Sequence, residues 1–168
     1  GCYPTSILLP LIPLLKKKLI SNNNIIIDSK SGYSGAGRGV HKKHKNKNLY
    51  ESLSAYGISN HRHNSEIQQE LDLSTGKKNN FHFTPHLIPM FRGILTTIYI
   101  DLKKGVSINK VNSALNNYYK KEIFVNIAKQ DTLLSTNDVI NTNNCLISVC
   151  KSKYKNKAII LSSIDNLI

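Results

Sequence analysis

Strand-like runs outnumber helical ones in this chain, and the two kinds do not alternate regularly. That order disfavours a doubly wound parallel sheet and points to an α+β layered domain. Apolar periodicity predicts helices over 3–18, 64–71 and 107–119. Pro4 suits the first turn of the first helix, where a missing N–H costs nothing, and Lys16, Lys17 and Lys18 suit its C-terminal end. Asn64 is the expected N-cap of the second helix, with Glu66 in its first turn and Ile67 and Leu71 on one face. Val111, Leu115 and Tyr118 form the expected apolar stripe of the third. Strands are predicted at 25–30, 81–84, 93–102, 123–128, 145–151 and 158–164. No internal repeat is visible. No Gly-x-Gly-x-x-Gly opens a β-α unit, so the chain carries no dinucleotide fold of its own.

At 168 residues the chain is one domain's worth, enough for a real core. Its longest apolar run, 7–15, is interrupted by Pro10 and Pro13 and is too short to span a membrane. There is no signal peptide and no initiator methionine, so a start on Gly1-Cys2 reads as a piece of something longer. Three cysteines argue against a disulfide framework and for a reducing, cytoplasmic setting. Cys145 and Cys150 fall in a predicted strand at an odd separation, on opposite faces, and make a poor metal or disulfide pair.

A net charge of +13 invites a nucleic-acid reading, but its make-up argues against one. Of 23 basic residues only Arg38, Arg62 and Arg92 are arginine, and nucleic-acid readers favour arginine for bidentate and stacking contacts. The lysines are spread through loops rich in asparagine, as a solvated surface would be. The three guanidinium groups therefore stand out as places where a planar fork is needed. His41 and His44 lie in a cationic stretch with no carboxylate or thiol beside them, so no metal is expected there.

Cys2 sits at the mouth of the first helix, facing unpaired N–H groups and the positive end of the macrodipole. That setting suits a thiolate nucleophile, although a small buried residue at a tight turn is the plainer alternative. The glycine-rich segment S-G-Y-S-G-A-G-R (31–38) follows a predicted strand and has free backbone N–H groups to offer an anion, or is an ordinary tight turn.

Four motifs stand in a fixed order: the Cys2 helix entry, S-G-Y-S-G-A-G-R, H-R-H-N-S-E-I (61–67) and F-T-P-H-L-I-P-M-F-R-G (83–93). With N-T-N-N-C (141–145) and the closing Asp165-Asn166-Leu167, they closely resemble the N-acetyl-gamma-glutamyl-phosphate reductases, the arginine-pathway branch of the semialdehyde dehydrogenases. The resemblance spans almost the whole chain and covers only the catalytic and subunit-contact domain (1–168). The nucleotide-binding Rossmann domain of such a reductase would precede Gly1, and its last helix would follow Ile168. It implies a two-layer domain like the C-terminal domain of glyceraldehyde-3-phosphate dehydrogenase, with a mixed, largely antiparallel sheet covered by helices.

The implied activity is NADPH-dependent reduction of N-acetyl-L-glutamyl 5-phosphate to the 5-semialdehyde in arginine biosynthesis. Cys2 would attack the acyl phosphate, phosphate would leave, and the thioester would be reduced to a thiohemiacetal that needs a proton donor as it collapses. The resemblance makes His61 the acid/base group ahead of His63, which shares its face in an extended segment and is the rival or a substrate contact. Ser34 and Gly35 match the Ser-Gly that contacts NADP in related enzymes. An acidic, phosphorylated substrate suits guanidinium, which makes Arg92 and Arg62 candidate anion clamps, with Arg38 a third; a structural ion pair is the alternative for each. Lys30, beside the loop, is a further possibility, whereas His86 reads as structural. Ser65 and Asn141 depart from the usual proline and glycine, and asparagine tolerates the positive φ a glycine would supply. The implied partners are a small acidic substrate, the protein's own Rossmann domain and further copies in a homodimer or homotetramer, with no nucleic acid and no membrane. Related acyl-phosphate reductases acting on aminoadipate-type substrates or aspartyl phosphate are the nearest alternatives, and a basic nucleic-acid-binding module a distant one.

Overall fold

The structure, a computed structural model, describes residues 1–35 and 51–167. Arg38, His41 and His44 lie outside the described residues. Three helices, α1 (Cys2–Lys16), α2 (His63–Thr75) and α3 (Ile108–Tyr119), pack with a mixed sheet. Its strands are β1 (Ile25–Ser31), β2 (Ser54–Ala55), β3 (Phe81–Leu87), β4 (Ile94–Asp101), β5 (Val125–Ile127), β6 (Cys145–Lys151) and β7 (Lys157–Ile164). The order across the sheet is β2-β3-β1-β4-β7-β6-β5, with β1 parallel to β3, β5 parallel to β6, and every other pair antiparallel. This is the predicted α+β arrangement with a largely antiparallel sheet.

The strands alternate as half-covered strands must. In β1, Ile25, Ile27, Ser29 and Ser31 are buried, while Ile26, Asp28 and Lys30 point the other way. Register then aligns Ile26, Tyr99 and Ile159 in one row across the uncovered face. On the covered face α1 supplies Tyr3, Ile7, Leu11 and Leu14, all essentially sealed from solvent. Thr96 bonds the hydroxyls of both Ser6 and Ser29 at 2.8 Å, tying α1 to β1 and β4 without leaving a buried polar atom unpaired.

Pro10 and Pro13 do not break α1. Pro13 lacks the N–H that would serve the Leu9 carbonyl. The Tyr119 hydroxyl of α3 takes that place, donating to Leu9 O at 2.6 Å. This also explains why Tyr119, and not the expected Tyr118, turns inward. Tyr118 is 45% exposed, and the buried stripe of α3 is Val111, Ala114, Leu115 and Tyr119.

The expected cap of α2 also moves. The helix starts at His63, Arg62 occupies the N-cap position with no capping side chain, and Asn64 lies inside the first turn. A preceding turn, closed by Asn64 N–H donating to His61 O, carries the helix past the predicted boundary. At the other end Gly76, with φ +64°, stops α2 beyond the predicted Leu71, its N–H donating to Asp72 O. Among the described residues no helix is long and apolar enough to cross a membrane.

Candidate active site

The N-terminus of α1 stands between two clusters of side chains. Cys2 is the first residue of the helix and is half-buried, whereas Cys145 and Cys150 are buried. Burial pushes the Cys145 thiol up to about 11. Cys2 is therefore the thiol best placed for chemistry, at the edge of a cleft of about 600 Å³ that also touches Thr5, Phe124, Asn143, Asp165 and Asn166. Brief treatment of the folded protein with iodoacetamide is expected to label Cys2 and spare the two others, read by peptide mass spectrometry. Equal labelling of all three would contradict the burial pattern.

On one side of Cys2 lies an aromatic cluster. Tyr3 meets His61, His63 and Phe83 edge-on at ring-centre distances of 5.5, 6.0 and 5.3 Å. Tyr56, on the loop leaving β2, meets His61 at 5.4 Å and bonds the Tyr3 hydroxyl at 2.9 Å. Burial raises the Tyr56 phenol, its hydrogen bond to Tyr3 works against that, and charge at the Cys2 position acts on it as well, so thiol and phenol share one electrostatic neighbourhood. The two histidines meet at 4.9 Å but differ in setting. His63 is buried, and burial, followed by His61 and Arg62, brings its pKa down to about 4. Its ring packs so closely on Gly1 that a Cβ there would lie 2.5 Å from Nε2, which is why the residue before Cys2 is a glycine. His61 is more open, and burial together with Arg62 lowers its pKa. The His63 amide donates to His61 Nδ1 at 3.2 Å, so the neutral His61 ring carries its hydrogen on Nε2. Arg62 is exposed beside them, and no carboxylate among the described residues pairs with it.

The opposite wall of the cleft is a hub at the end of β7. Arg92 directs Nε and Nη2 to the two oxygens of Asp165, at 3.1 and 2.8 Å, and Nη1 to Asn141 Oδ1 at 2.8 Å. Its fork is therefore engaged as an ion pair, the alternative to the anion clamp that the sequence left open. The Asp165 side chain is fully buried and accepts two further bonds, from the amides of Asn141 and Leu167. Burial pushes its carboxyl up, but the Leu167 and Asn141 amides and Arg92 together hold it below the usual carboxylate range. Asn141 adopts φ +64°, the positive value expected of it.

The described part of the glycine-rich segment, 31–35, packs on this hub. Among its described residues, the amides of Gly32, Tyr33 and Ser34 are not free and donate to the carbonyls of Gly93, Met90 and Phe91. This corrects the expectation of an anion cradle built from those N–H groups. Ser34 is buried and bonds Asn166, and a Cβ on Gly35 would lie 2.9 Å from Asn166 Nδ2. Lys30 pairs with Asp28, and His86 Nδ1 lies 3.4 Å from the same carboxylate, a structural grouping. The residues that sequence reasoning missed are Tyr56, Asp165 and Asn166. The last two stood in a recognised motif, but nothing in their spacing disclosed a role.

Residues 2–166 match the semialdehyde dehydrogenase dimerisation domain. The chain belongs to this family. Over its full length the dimerisation domain is 42% identical to N-acetyl-gamma-glutamyl-phosphate reductase of Ehrlichia canis and 46% identical to that of Alkaliphilus metalliredigens, covering 49% of each. It is 44% identical to a probable chloroplastic enzyme of the same name from Arabidopsis thaliana, of which it covers 42%. The chain thus spans about half the length of the curated relatives it matches. The same fold occurs in aspartate-semialdehyde dehydrogenase from Francisella tularensis, with TM-score 0.75 and 13% identity over all of this chain and 59% of that one. A probable aspartate-semialdehyde dehydrogenase from Pseudomonas aeruginosa gives 0.73 and 13% over 96% and 56%.

Proposed function

We propose that this chain is the catalytic and subunit-contact half of a reductase that converts N-acetyl-L-glutamyl 5-phosphate to N-acetyl-L-glutamate 5-semialdehyde in cytoplasmic arginine biosynthesis. The observation that carries the proposal is Cys2, a half-buried thiol at the first turn of α1 and the edge of the cleft. Its sulfur attacks the acyl carbon, the C–O bond to phosphate breaks, and an acyl thioester remains. NADPH, when bound, supplies the hydride that reduces this thioester. The tetrahedral adduct that results collapses to aldehyde and frees the Cys2 thiolate. His61, packed on Tyr3 beside Cys2 and with its neutral-ring proton on Nε2, is the group that would hydrogen-bond the adduct oxygen and fill the acid/base role the resemblance implies. Arg62, exposed and without a carboxylate partner among the described residues, is the anion contact that remains available for an acidic substrate, with His63 buried behind it.

Ser34 and Gly35 fit a cofactor contact in a limited sense. A side chain at Gly35 would strike Asn166, so a glycine there lets the backbone lie against the hub beside the Ser34 hydroxyl. With three loop amides already bonded, the cofactor's phosphates would be held by the Rossmann domain. A second copy of the chain would cover the open face of the sheet, where Ile26 and Tyr99 are about half exposed. The family's description as a dimerisation domain supports that pairing.

The test is the full-length protein assayed on N-acetyl-L-glutamyl 5-phosphate and on aspartyl phosphate. The former is expected to be turned over faster by a large factor, and equal or better use of aspartyl phosphate would sink the assignment. For the histidines, His61→Asn should lower kcat more than His63→Asn. The acidic limb of the kcat/KM profile should fall below the usual histidine value of about 6.5, because burial and Arg62 disfavour the protonated ring. The reverse ranking would hand the role to His63.

A further inference from the structure

Asn166 is 9% exposed, and its side-chain amide spends all of its hydrogen-bonding capacity inside the fold. Its Oδ1 accepts from Gly93 N–H at 2.7 Å, and its Nδ2 donates to Gly32 O at 3.1 Å and to Ser31 Oγ at 3.3 Å. A backbone N–H can only donate and a backbone carbonyl can only accept, so these two partners fix which end of the amide is oxygen. The fourth bond, 3.0 Å between Asn166 Oδ1 and Ser34 Oγ, then has one possible direction: the serine hydroxyl donates. A hydroxyl has a single hydrogen. Once that hydrogen is given to Asn166, Ser34 has only lone pairs left for anything else.

We infer that Asn166 is a positioning residue that holds Ser34 as a pure hydrogen-bond acceptor, so that Ser34 recognises a donor group on the cofactor and not a phosphate. Ionised phosphate oxygens only accept and gain nothing from such a serine. The nicotinamide carboxamide N–H donates and does. The committed amides of Gly32, Tyr33 and Ser34 point the same way, since they too are closed to an anion. This inference rests on the assignment of Ser34 and Gly35 to the cofactor, and it adds which part of the cofactor they meet. Asparagine is required in place of aspartate because a second carboxylate oxygen would face the Gly32 carbonyl at the position of Nδ2.

The experiment is equilibrium binding to the full-length protein, titrating intrinsic NADPH fluorescence and, in parallel, measuring 2′-phospho-ADP-ribose by calorimetry. The second ligand keeps the phosphates and lacks the nicotinamide. Ser34→Ala and Asn166→Ala should each weaken NADPH binding by about tenfold, the size of one hydrogen bond. The double variant should be no weaker than either single, because the two changes remove one contact. Binding of 2′-phospho-ADP-ribose should stay within about twofold of the parent, and the near-UV circular dichroism of each variant should match the parent's, which checks that this domain is folded. Equal weakening of both ligands, or additive losses in the double variant, would overturn the inference. Failure of the unsubstituted protein to bind NADPH would instead remove the reading beneath it.

Discussion

Cys2→Ser is expected to lower reductase turnover of the full-length protein by about a thousandfold or more, because the serine hydroxyl is a far weaker nucleophile and no base is bonded to it. The thermal midpoint should barely move. Cys2 is half-buried at the end of a helix, and exchange of sulfur for oxygen there opens no cavity in the core formed by Ile7, Leu11 and Leu14. Substrate affinity should also persist, since the arginine and histidine contacts are untouched. A steady-state assay with a denaturation curve on the same sample separates the two effects. Retained turnover would refute the nucleophile, and joint loss of activity and folding would make Cys2 a structural residue.

The largest effect on stability is expected at the hub, from Arg92→Leu. The substitution leaves the fully buried Asp165 carboxylate without its cation, a loss of about 3–5 kcal/mol when one partner of a buried pair is removed. Its pH dependence follows from the direction of the shift. The folded-state pKa of Asp165 lies below its unfolded value, so its contribution is complete above about pH 4 and is lost as pH falls through the lower folded value. The gap between parent and Arg92→Leu should therefore be widest near neutrality and should narrow in acid. Urea denaturation at pH 7 and at pH 3.5 measures both arms. A deficit below about 1 kcal/mol, or one independent of pH, would show that the two backbone amides on Asp165 suffice without Arg92.

The elements were legible wherever local periodicity decided them. Six predicted strands and three predicted helices are present, because Ile25 to Lys30 and Cys145 to Lys151 carry enough apolar residues to declare a buried strand alone. What was not legible depended on distant partners. Tyr119 is chosen over Tyr118 by a carbonyl orphaned by Pro13, more than a hundred residues away. For Arg92 the sequence leaves anion clamp and ion pair open, and the partner that decides it, Asp165, lies at the end of the neighbouring strand, 73 residues on. The glycine-rich segment is recognisable as a close approach of backbone, but the amides of Gly32, Tyr33 and Ser34 meet the Met90–Gly93 turn. Cys2 was the easier case, since the first turn of a helix is itself a local feature.

The central claim is that acyl transfer passes through the Cys2 sulfur. The direct measurement runs the reaction backward: the full-length protein is incubated with N-acetyl-L-glutamate 5-semialdehyde and NADP⁺ without phosphate, quenched in acid and analysed by peptide mass spectrometry. With no phosphate to accept the acyl group, the N-acetylglutamyl thioester should accumulate on the peptide that contains Cys2 and be absent from Cys2→Ser. An adduct on Cys145 or Cys150, or NADPH formed with no thioester on any cysteine, would contradict the account.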